Sequence, residues 1–365
     1  MKRREFLTAA ALGAAGLAAC GGPAAEGGGP AVITGKKIRW RLASSFPRSL
    51  DTLWGAAEVM ADRVKTMTEG NFDIRPYPAG ELVPGLQVLD AVQQGTVQIG
   101  QSGSYYYIGK NPALAFDTCV PFGLTARQQQ AWLTEAGGLE LIWELLSDFG
   151  VISFPGGNTG VQMGGWFVPE VNSVDDLKGL KMRIPGMGGK VMERLGVATQ
   201  TIAGGEIFPA LERGAIDATD WVGPYDDEKL GFHKVAKNYY YPGWWEPGPS
   251  LSFYVNKKAW DGLPAGYKEI LAVACRESGM VMMARYDAQN PAALRRILAS
   301  GVTARPFSDD LMVAAREASI AMLQEDAAKD PGYRKVYDHW KAFQKDSFEW
   351  FGLAEKAYAK FSFGS

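Results

Sequence analysis

From residue 37 onward the chain switches between two spacings of apolar residues. IRWRLAS (Ile38 to Ser44) and FDIRPYP (Phe72 to Pro78) alternate apolar and polar positions, which predicts strands. Between them, Asp51 to Thr68 carries Leu53, Ala57, Met60 and Val64 at helical spacing. The order strand, helix, strand predicts a parallel sheet covered by helices. Farther on, VISFPG (Val151 to Gly156), VQMGGWFV (Val161 to Val168) and LKGLKMRI (Leu177 to Ile184) predict strands of a second α/β lobe, with a short helix from Gly188 to Leu195. LSFYVNKKAW (Leu251 to Trp260) and VTARPF (Val302 to Phe307) predict further strands. Pro264 to Ser300 is helical with an expected break at Pro291, and Ser308 to Lys360 is amphipathic helix with an expected break at Pro331. Strand-like runs continue after the second lobe begins, so the chain is expected to cross between lobes at least twice.

One segment occurs twice. GELVPGLQVLDAVQQGTVQIG (Gly80 to Gly100) and GEIFPALERGAIDAT (Gly205 to Thr219) share Gly-Glu, an aliphatic, a variable residue, Pro, a small residue and Leu, and later Gly-x-aliphatic-Gln/Asp. Pro84 and Pro209 suit the first turn of a helix, and Gly95 and Gly214 suit its end. The expectation is a helix-to-strand unit in each lobe.

The first twenty residues, MKRREFLTAAALGAAGLAAC, combine a basic head with an apolar run from Phe6 to Ala19 that is too short to span a bilayer but suits an export signal. The paired arginines followed by Glu5, Phe6 and Leu7 resemble a twin-arginine signal. Leu17-Ala18-Ala19-Cys20 resembles a lipobox, in which Cys20 is acylated; a plain secretory signal is the alternative. Residues 21–36 are rich in Gly, Pro and Ala, as a flexible tether is. The remaining residues, about 330, exceed what one hydrophobic core usually serves, which predicts two lobes outside the cytoplasmic membrane. A net charge of −2 offers no field for nucleic acid. Cys119 and Cys275 are expected to be small buried side chains rather than a disulfide framework or a zinc site.

Motifs for catalysis are absent. His233 and His339 have no second histidine at metal-ligand spacing, and there is no G-x-S-x-G elbow. GMGGK (Gly186 to Lys190) has Val191 where a dinucleotide loop needs its last glycine, and GPAVITGKK misses the P-loop spacing by one residue. An exported two-lobed α/β chain with so few reactive groups points to a binding protein that closes on a small ligand. A carboxylate-based hydrolase or lyase using the same cleft is the competing class.

Six stretches then carry a resemblance: SSFPRSLDTLWGAAEVMADRV, AGELVPGLQVLDAVQQGTVQIG, NTGVQMGGWF, DLKGLKMRIPG, GGEIFPALERGAIDATDWVGPYDDEKLGF and YYYPGWWEPGP. The chain resembles the solute-binding subunits of TRAP transporters, in the group that takes up small 2-oxo and 2-hydroxy monocarboxylates such as pyruvate and lactate. The resemblance implies a two-lobed, periplasmic-binding-protein-like α/β fold with a ligand cleft between lobes and a helical C-terminal region. The lobes are expected at about 37–155, with C-terminal returns, and 156–260, with C-terminal helices over 308–360. It also implies membrane permease subunits as partners, and a pair of chains is open as an alternative to C-terminal helices that cover a lobe.

The resemblance assigns residues as well. Arg183 stands where the family pairs an arginine with the substrate carboxylate, a task that suits a guanidinium fork. Gln162, the backbone carbonyl of Trp221 and Glu246 stand where the monocarboxylate-binding group holds a metal ion, with Asp220 adjacent. All are oxygen donors, which suit Ca²⁺ or Na⁺. A monocarboxylate near Glu246 would face a like charge, and a bridging cation removes that conflict; the alternative is that Glu246 ion-pairs with Arg183. Tyr105 or Tyr106 in SYYYIGK offers a hydroxyl and Asn158 in GGNTG an amide, with turn-stabilising or packing roles equally open. Asp226 to Glu228 is expected to be a solvated helix start.

Overall fold

A computed structural model describes residue 35 and residues 37–363. The expected export signal, Cys20 and nearly all of the tether lie outside the described residues. These hold eleven strands: β1 (Ile38–Ser44), β2 (Phe72–Tyr77), β3 (Ile99–Ser102), β4 (Val151–Asn158), β5 (Trp166–Phe167), β6 (Lys181–Arg183), β7 (Ala198–Gln200), β8 (Ala218–Thr219), β9 (Asn238–Tyr241), β10 (Ser250–Asn256) and β11 (Thr303–Pro306). They form a five-stranded sheet ordered β2-β1-β3-β10-β4 and a six-stranded sheet ordered β11-β9-β5-β8-β6-β7.

The expected βαβ start is present. β1 pairs in parallel with β2 and β3, and the helix Leu53–Met67 crosses between the first two. Its Leu53, Ala57, Met60 and Val64 are buried, as the spacing requires. The two copies of the repeat end alike: Gly95 and Gly214 adopt left-handed φ after their helices, and β3 and β8 follow, one in each sheet. Their starts differ. Pro84 precedes a 3₁₀ turn at Gly85–Gln87, whereas Pro209 lies inside a helix that has already begun at Gly204.

Three boundaries depart from expectation. β10, placed by sequence in the second lobe at 156–260, joins the first sheet antiparallel to β3 and β4, whereas β11, beyond 260, joins the second sheet beside β9. The pairing potential of an edge outweighs chain order here. VQMGGWFV forms strand only at Trp166–Phe167, because Gly165, with φ of 83°, takes the backbone out of an extended run just before them. The helix Ala265–Ala299 runs through Pro291 without a break. Pro291 lies on an exposed face, where water can satisfy the carbonyl that its missing N–H leaves unpaired. Helices Asp309–Lys329 and Pro331–Phe351 break at Pro331 as expected.

Ala265–Ala299 belongs to both lobes. Tyr267, Leu271, Ala274 and Cys275 pack in the core of the first sheet. Met282, Tyr286 and Ile297 join a cluster that includes Leu53 from the first lobe and Trp166, Trp221 and Val222 from the second. Cys119 and Cys275 are free and buried.

The helix Pro224–Leu230 corrects the reading of Asp226 to Glu228 as a solvated start: Asp226 and Asp227 are buried. A carboxylate is tolerated there because each is wrapped in donors. Asp226 accepts from the hydroxyls of Thr52 at 2.7 Å and Tyr286 at 2.6 Å. Asp227 accepts from Trp166 Nε1 at 2.9 Å and the Tyr239 hydroxyl at 2.7 Å. Asp117 is similar, held by the hydroxyls of Ser104 and Ser252.

Burial raises Asp117 and Asp226 to about 6 and Asp227 to about 7, against the pull of those donors. In the unfolded chain aspartates ionise near pH 4. The folded chain therefore holds protons that the unfolded chain has lost, so this contribution to stability is full below about pH 4 and is lost as pH rises through about 6 to 7. We expect the melting temperature of the ligand-free protein to fall from about pH 5 to about pH 8, and Asp117→Asn to shrink that fall. A melting temperature that climbs across the window contradicts this account.

Candidate functional site

The site is assembled where strands of the second sheet end. Arg183 closes β6 and Asp220 follows β8, and the parallel register that sets Arg183 opposite Thr219 brings them together. Arg183 Nη1 donates to Asp220 Oδ1 at 2.7 Å, and both side chains are 1 % exposed. Arg183 Nε donates to the Ile202 carbonyl at 3.1 Å, and Nη1 also reaches the Asp220 carbonyl at 3.3 Å. The Trp221 ring covers the guanidinium, 5.1 Å from its centroid. Arg183 Nη2 is left with one long contact, 3.5 Å to the Tyr106 hydroxyl. One edge of the fork is thus fixed by protein and the other faces the cleft.

The partner of Arg183 is Asp220 rather than Glu246, which settles against the alternative ion pair read from the sequence. Glu246 lies alongside, buried, with its carboxyl against the Asp220 carboxyl and the Gln162 amide. Two backbone bonds hold the segments in register: Gln162 N donates to the Glu246 carbonyl at 3.3 Å and Gly243 N to the Gln162 carbonyl at 2.9 Å. The aromatic run of Tyr239 to Pro249 backs this arrangement. Tyr239 stacks on Trp166 at 4.0 Å, Trp244 stacks on Phe122 at 5.1 Å, and Trp245 is buried beside Gly188.

Charge is unbalanced. One guanidinium faces two carboxyl groups, so full ionisation would leave a net −1 in a buried setting. Burial, then the charge of Asp220, pushes Glu246 well above the usual carboxylate range, while Arg183 and the Gln162 amide pull the other way. Asp220 is also raised, by burial acting against Arg183. Arg183 itself stays charged: burial opposes its charge, but Asp220 outweighs that.

Unpartnered oxygens mark the same place. Gln162 Oε1, Asp220 Oδ2 and Glu246 Oε2 are buried and meet no donor while both carboxyls are ionised. Such groups are costly unless something positive meets them. Among the described residues no group of three or more His, Cys, Asp and Glu could hold a metal ion, so a cation here would need amide or backbone oxygens as well. An all-oxygen set with two carboxylates fits a hard cation such as Ca²⁺ or Na⁺.

The adjoining cavity is lined by the expected Tyr105, Tyr106, Gln162, Arg183 and Trp221, together with Phe46, Leu53, Thr159, Val222, Pro249 and Leu251, which the sequence did not reveal. It spans about 280 Å³ with its mouth included, yet the centre of a water-sized sphere reaches only about 10 Å³ of it. The cleft is therefore narrow, with room for about one water molecule between its walls. Asp220, Glu246 and Asn158 are not among the lining residues. Asn158 is engaged in its turn, donating to the Gly248 carbonyl at 3.0 Å and accepting from Gly160 N at 2.8 Å. Thr159 accepts from Gln162 Nε2 at 3.1 Å and stood in plain view beside Asn158 in GGNTG. Phe46, Leu53 and Leu251 carry no mark that separates a cavity wall from a core.

The lobes meet at Tyr105. Its ring packs 4.5 Å from that of Tyr106. Gly186 opposite has φ of 65°, and a Cβ there would stand 3.0 Å from Tyr105 Cβ and Cδ2. Glycine is needed at that position for its backbone and for its lack of a side chain.

Comparison with known proteins places this geometry. The family model for bacterial extracellular solute-binding protein, family 7, matches residues 43–330. A monocarboxylate 2-oxoacid-binding periplasmic protein of Nostoc is 54 % identical over 368 residues, covering all of both chains. A TRAP transporter solute-binding protein of Bordetella bronchiseptica is 48 % identical with a TM-score of 0.89, over 90 % of this chain and 98 % of that one. It is a mixed-occupancy dimer, with an active site that binds copurified calcium and picolinate versus an apo site. A TRAP periplasmic solute-binding protein of Pseudoalteromonas atlantica, with bound sodium and pyruvate, is 43 % identical with a TM-score of 0.87, over 89 % of this chain and 99 % of that one. Matched to the family model over residues 43–330 and aligned end to end with a relative at 54 % identity, the chain belongs to the bacterial extracellular solute-binding protein family 7, as a solute-binding protein of the TRAP type.

Proposed function

We propose that the chain captures a small 2-oxo or 2-hydroxy monocarboxylate of the pyruvate or lactate type together with Ca²⁺ or Na⁺, and presents it, chemically unchanged, to membrane permease subunits. The observation that carries this reading is the charge imbalance at Arg183, Asp220 and Glu246 beside three unpartnered buried oxygens. Adding a monocarboxylate to ionised residues takes the net charge to −2, and a divalent cation returns it to zero. A monovalent ion leaves −1, which a proton on Glu246 would cancel. Relatives with bound calcium or sodium support the same reading.

In this proposal the free edge of Arg183 meets the ligand carboxylate, with the Tyr106 hydroxyl beside it. Gln162, Glu246, Asp220 and the Trp221 carbonyl would hold the cation, which supplies the positive charge that lets two carboxylates and an anion share a closed space. Tyr105 and the aromatic wall exclude water. Asn158 shapes the turn that carries Gln162, and an amide contact to ligand remains part of the proposal.

Calorimetry with pyruvate and lactate tests it. Binding should be lost with chelator and in salt-free buffer and regained with added Ca²⁺ or Na⁺, and the recovered acid should be unaltered. Arg183→Lys keeps charge but not the fork, and should weaken acid binding roughly 30-fold or more, the scale of about 2–5 kcal/mol for a disrupted buried charge pair. Glu246→Gln should weaken the dependence on cation. Failure of every short monocarboxylate to bind, with or without metal, would sink the reading.

We infer further that Cys20 is lipidated and anchors the protein outside the cytoplasmic membrane after export through the twin-arginine-like head. Cys20→Ser should move the protein from membranes to the soluble fraction; an unchanged distribution refutes the anchor.

We also propose that two copies pair through the C-terminal helices. Trp350, Leu353, Tyr358, Phe361 and Phe363 are exposed, Phe361 at 92 %, a series of large apolar side chains at one end of the chain that a second copy could cover. The Bordetella relative is a dimer. Deleting residues 357–365 should convert a dimer to a monomer in sedimentation velocity, and a full-length monomer would contradict the pairing.

A further inference from the structure

Besides Asp117, two neighbouring buried carboxylates stand outside the charge arrangement described above. Asp226 and Asp227 are adjacent on the helix Pro224–Leu230, which begins two residues after Val222, a wall of the cavity. Their side chains turn to different parts of the molecule. Asp227 Oδ1 accepts from the backbone N–H groups of Val222 at 3.3 Å and Gly223 at 3.1 Å, while its Oδ2 accepts from Trp166 and Tyr239. The turn that carries Trp221 and Val222 is thereby tied to β5 and β9 of its own lobe.

Asp226 looks across the lobes. Its Oδ1 accepts from Thr52, which precedes the first-lobe helix Leu53–Met67, and its Oδ2 accepts from Tyr286 on the helix Ala265–Ala299. A threonine at a helix start ordinarily caps its own helix. Thr52 makes no such cap bond, and its hydroxyl goes to the other lobe instead. Leu53, the next residue, lines the cavity. Each wall of the cleft, Leu53 and Val222, therefore lies within one residue of a group held by this pair.

We propose that Asp226 and Asp227 act as positioning residues for the ligand cavity: Asp227 fixes the Trp221–Gly223 turn, and Asp226 fixes the distance from that turn to the first-lobe wall. The pair sets the width of the cleft without touching ligand. Buried networks in which every oxygen is satisfied hold geometry in this way. Lining residues alone do not explain why two costly carboxylates are kept side by side at a lobe boundary.

The inference rests on the proposed acid-binding reading for its affinity arm only. Thr52→Val removes the hydroxyl at nearly constant shape and should widen the ligand-free protein, read as a larger radius of gyration by small-angle scattering. It should also weaken acid binding about 3- to 10-fold at saturating cation. Thr52→Ser should restore both. Tyr286→Phe removes the other bond to Asp226 and should shift both readouts the same way, so the outcome does not hang on one variant folding. Asp227→Asn places an amide N–H against either the donor-only indole of Trp166 or the N–H groups of Val222 and Gly223, and should weaken acid binding with no change in the residues that line the cavity. Wild-type dimensions in Thr52→Val and Tyr286→Phe overturn the inference, as does a Thr52→Val protein that widens but is not rescued by serine. Scattering needs no ligand, so the role of Asp226 in setting the cleft width is decided even where the wild type binds no acid, an outcome that defeats the acid reading alone.

Discussion

The buried pair of Arg183 and Asp220 is the constraint around which the site is organised. Holding that pair from water requires strand ends in parallel register, a tryptophan face over the guanidinium and backbone carbonyls for Nε and Nη1. Adding Glu246 makes the arrangement incomplete by itself, because two carboxyls share one cation of the protein's own. On the proposed reading, a folded site that is electrostatically unfinished would bind selectively, admitting the ionic combination that completes it and resisting an anion arriving alone.

Much of the fold was legible because its signals are local. β1 and the helix Leu53–Met67 sit where apolar spacing placed them, and the repeated segment proved to be one unit in each sheet. What the sequence hid is governed by pairing at long range. Nothing in LSFYVN declares that it will insert between β3 and β4 rather than join the strands that precede it. Nor does VQMGGWFV show that only two of its residues will stay in the sheet.

The candidate site was legible to a similar degree and for a similar reason. Arg183, Gln162, Trp221 and Glu246 come together, as their place in resembling stretches implied, with Asp220 moving from an uncertain neighbour to the partner of Arg183. Cavity walls such as Phe46 and Leu251 escaped notice since an apolar side chain has the same sequence signature in a wall as in a core. Asp226 and Asp227 were mistaken for solvated charges because donors that bury them come from Thr52, Trp166, Tyr239 and Tyr286, positions remote in the chain.

The strand order has a bearing on how the molecule can be divided. The first sheet takes β10 from the far side of the second lobe, the second sheet takes β11 after the chain has returned once more, and Ala265–Ala299 packs against both. Among the described residues, the stretches that supply the two sheets therefore overlap, and neither belongs to one lobe alone. A single cut between β4 and β5 would leave an N-terminal fragment missing β10 and a C-terminal fragment carrying that strand without its neighbours, so the two should remain clasped rather than separate, and complementation of two co-expressed pieces is a more natural way to divide this protein than isolating a domain.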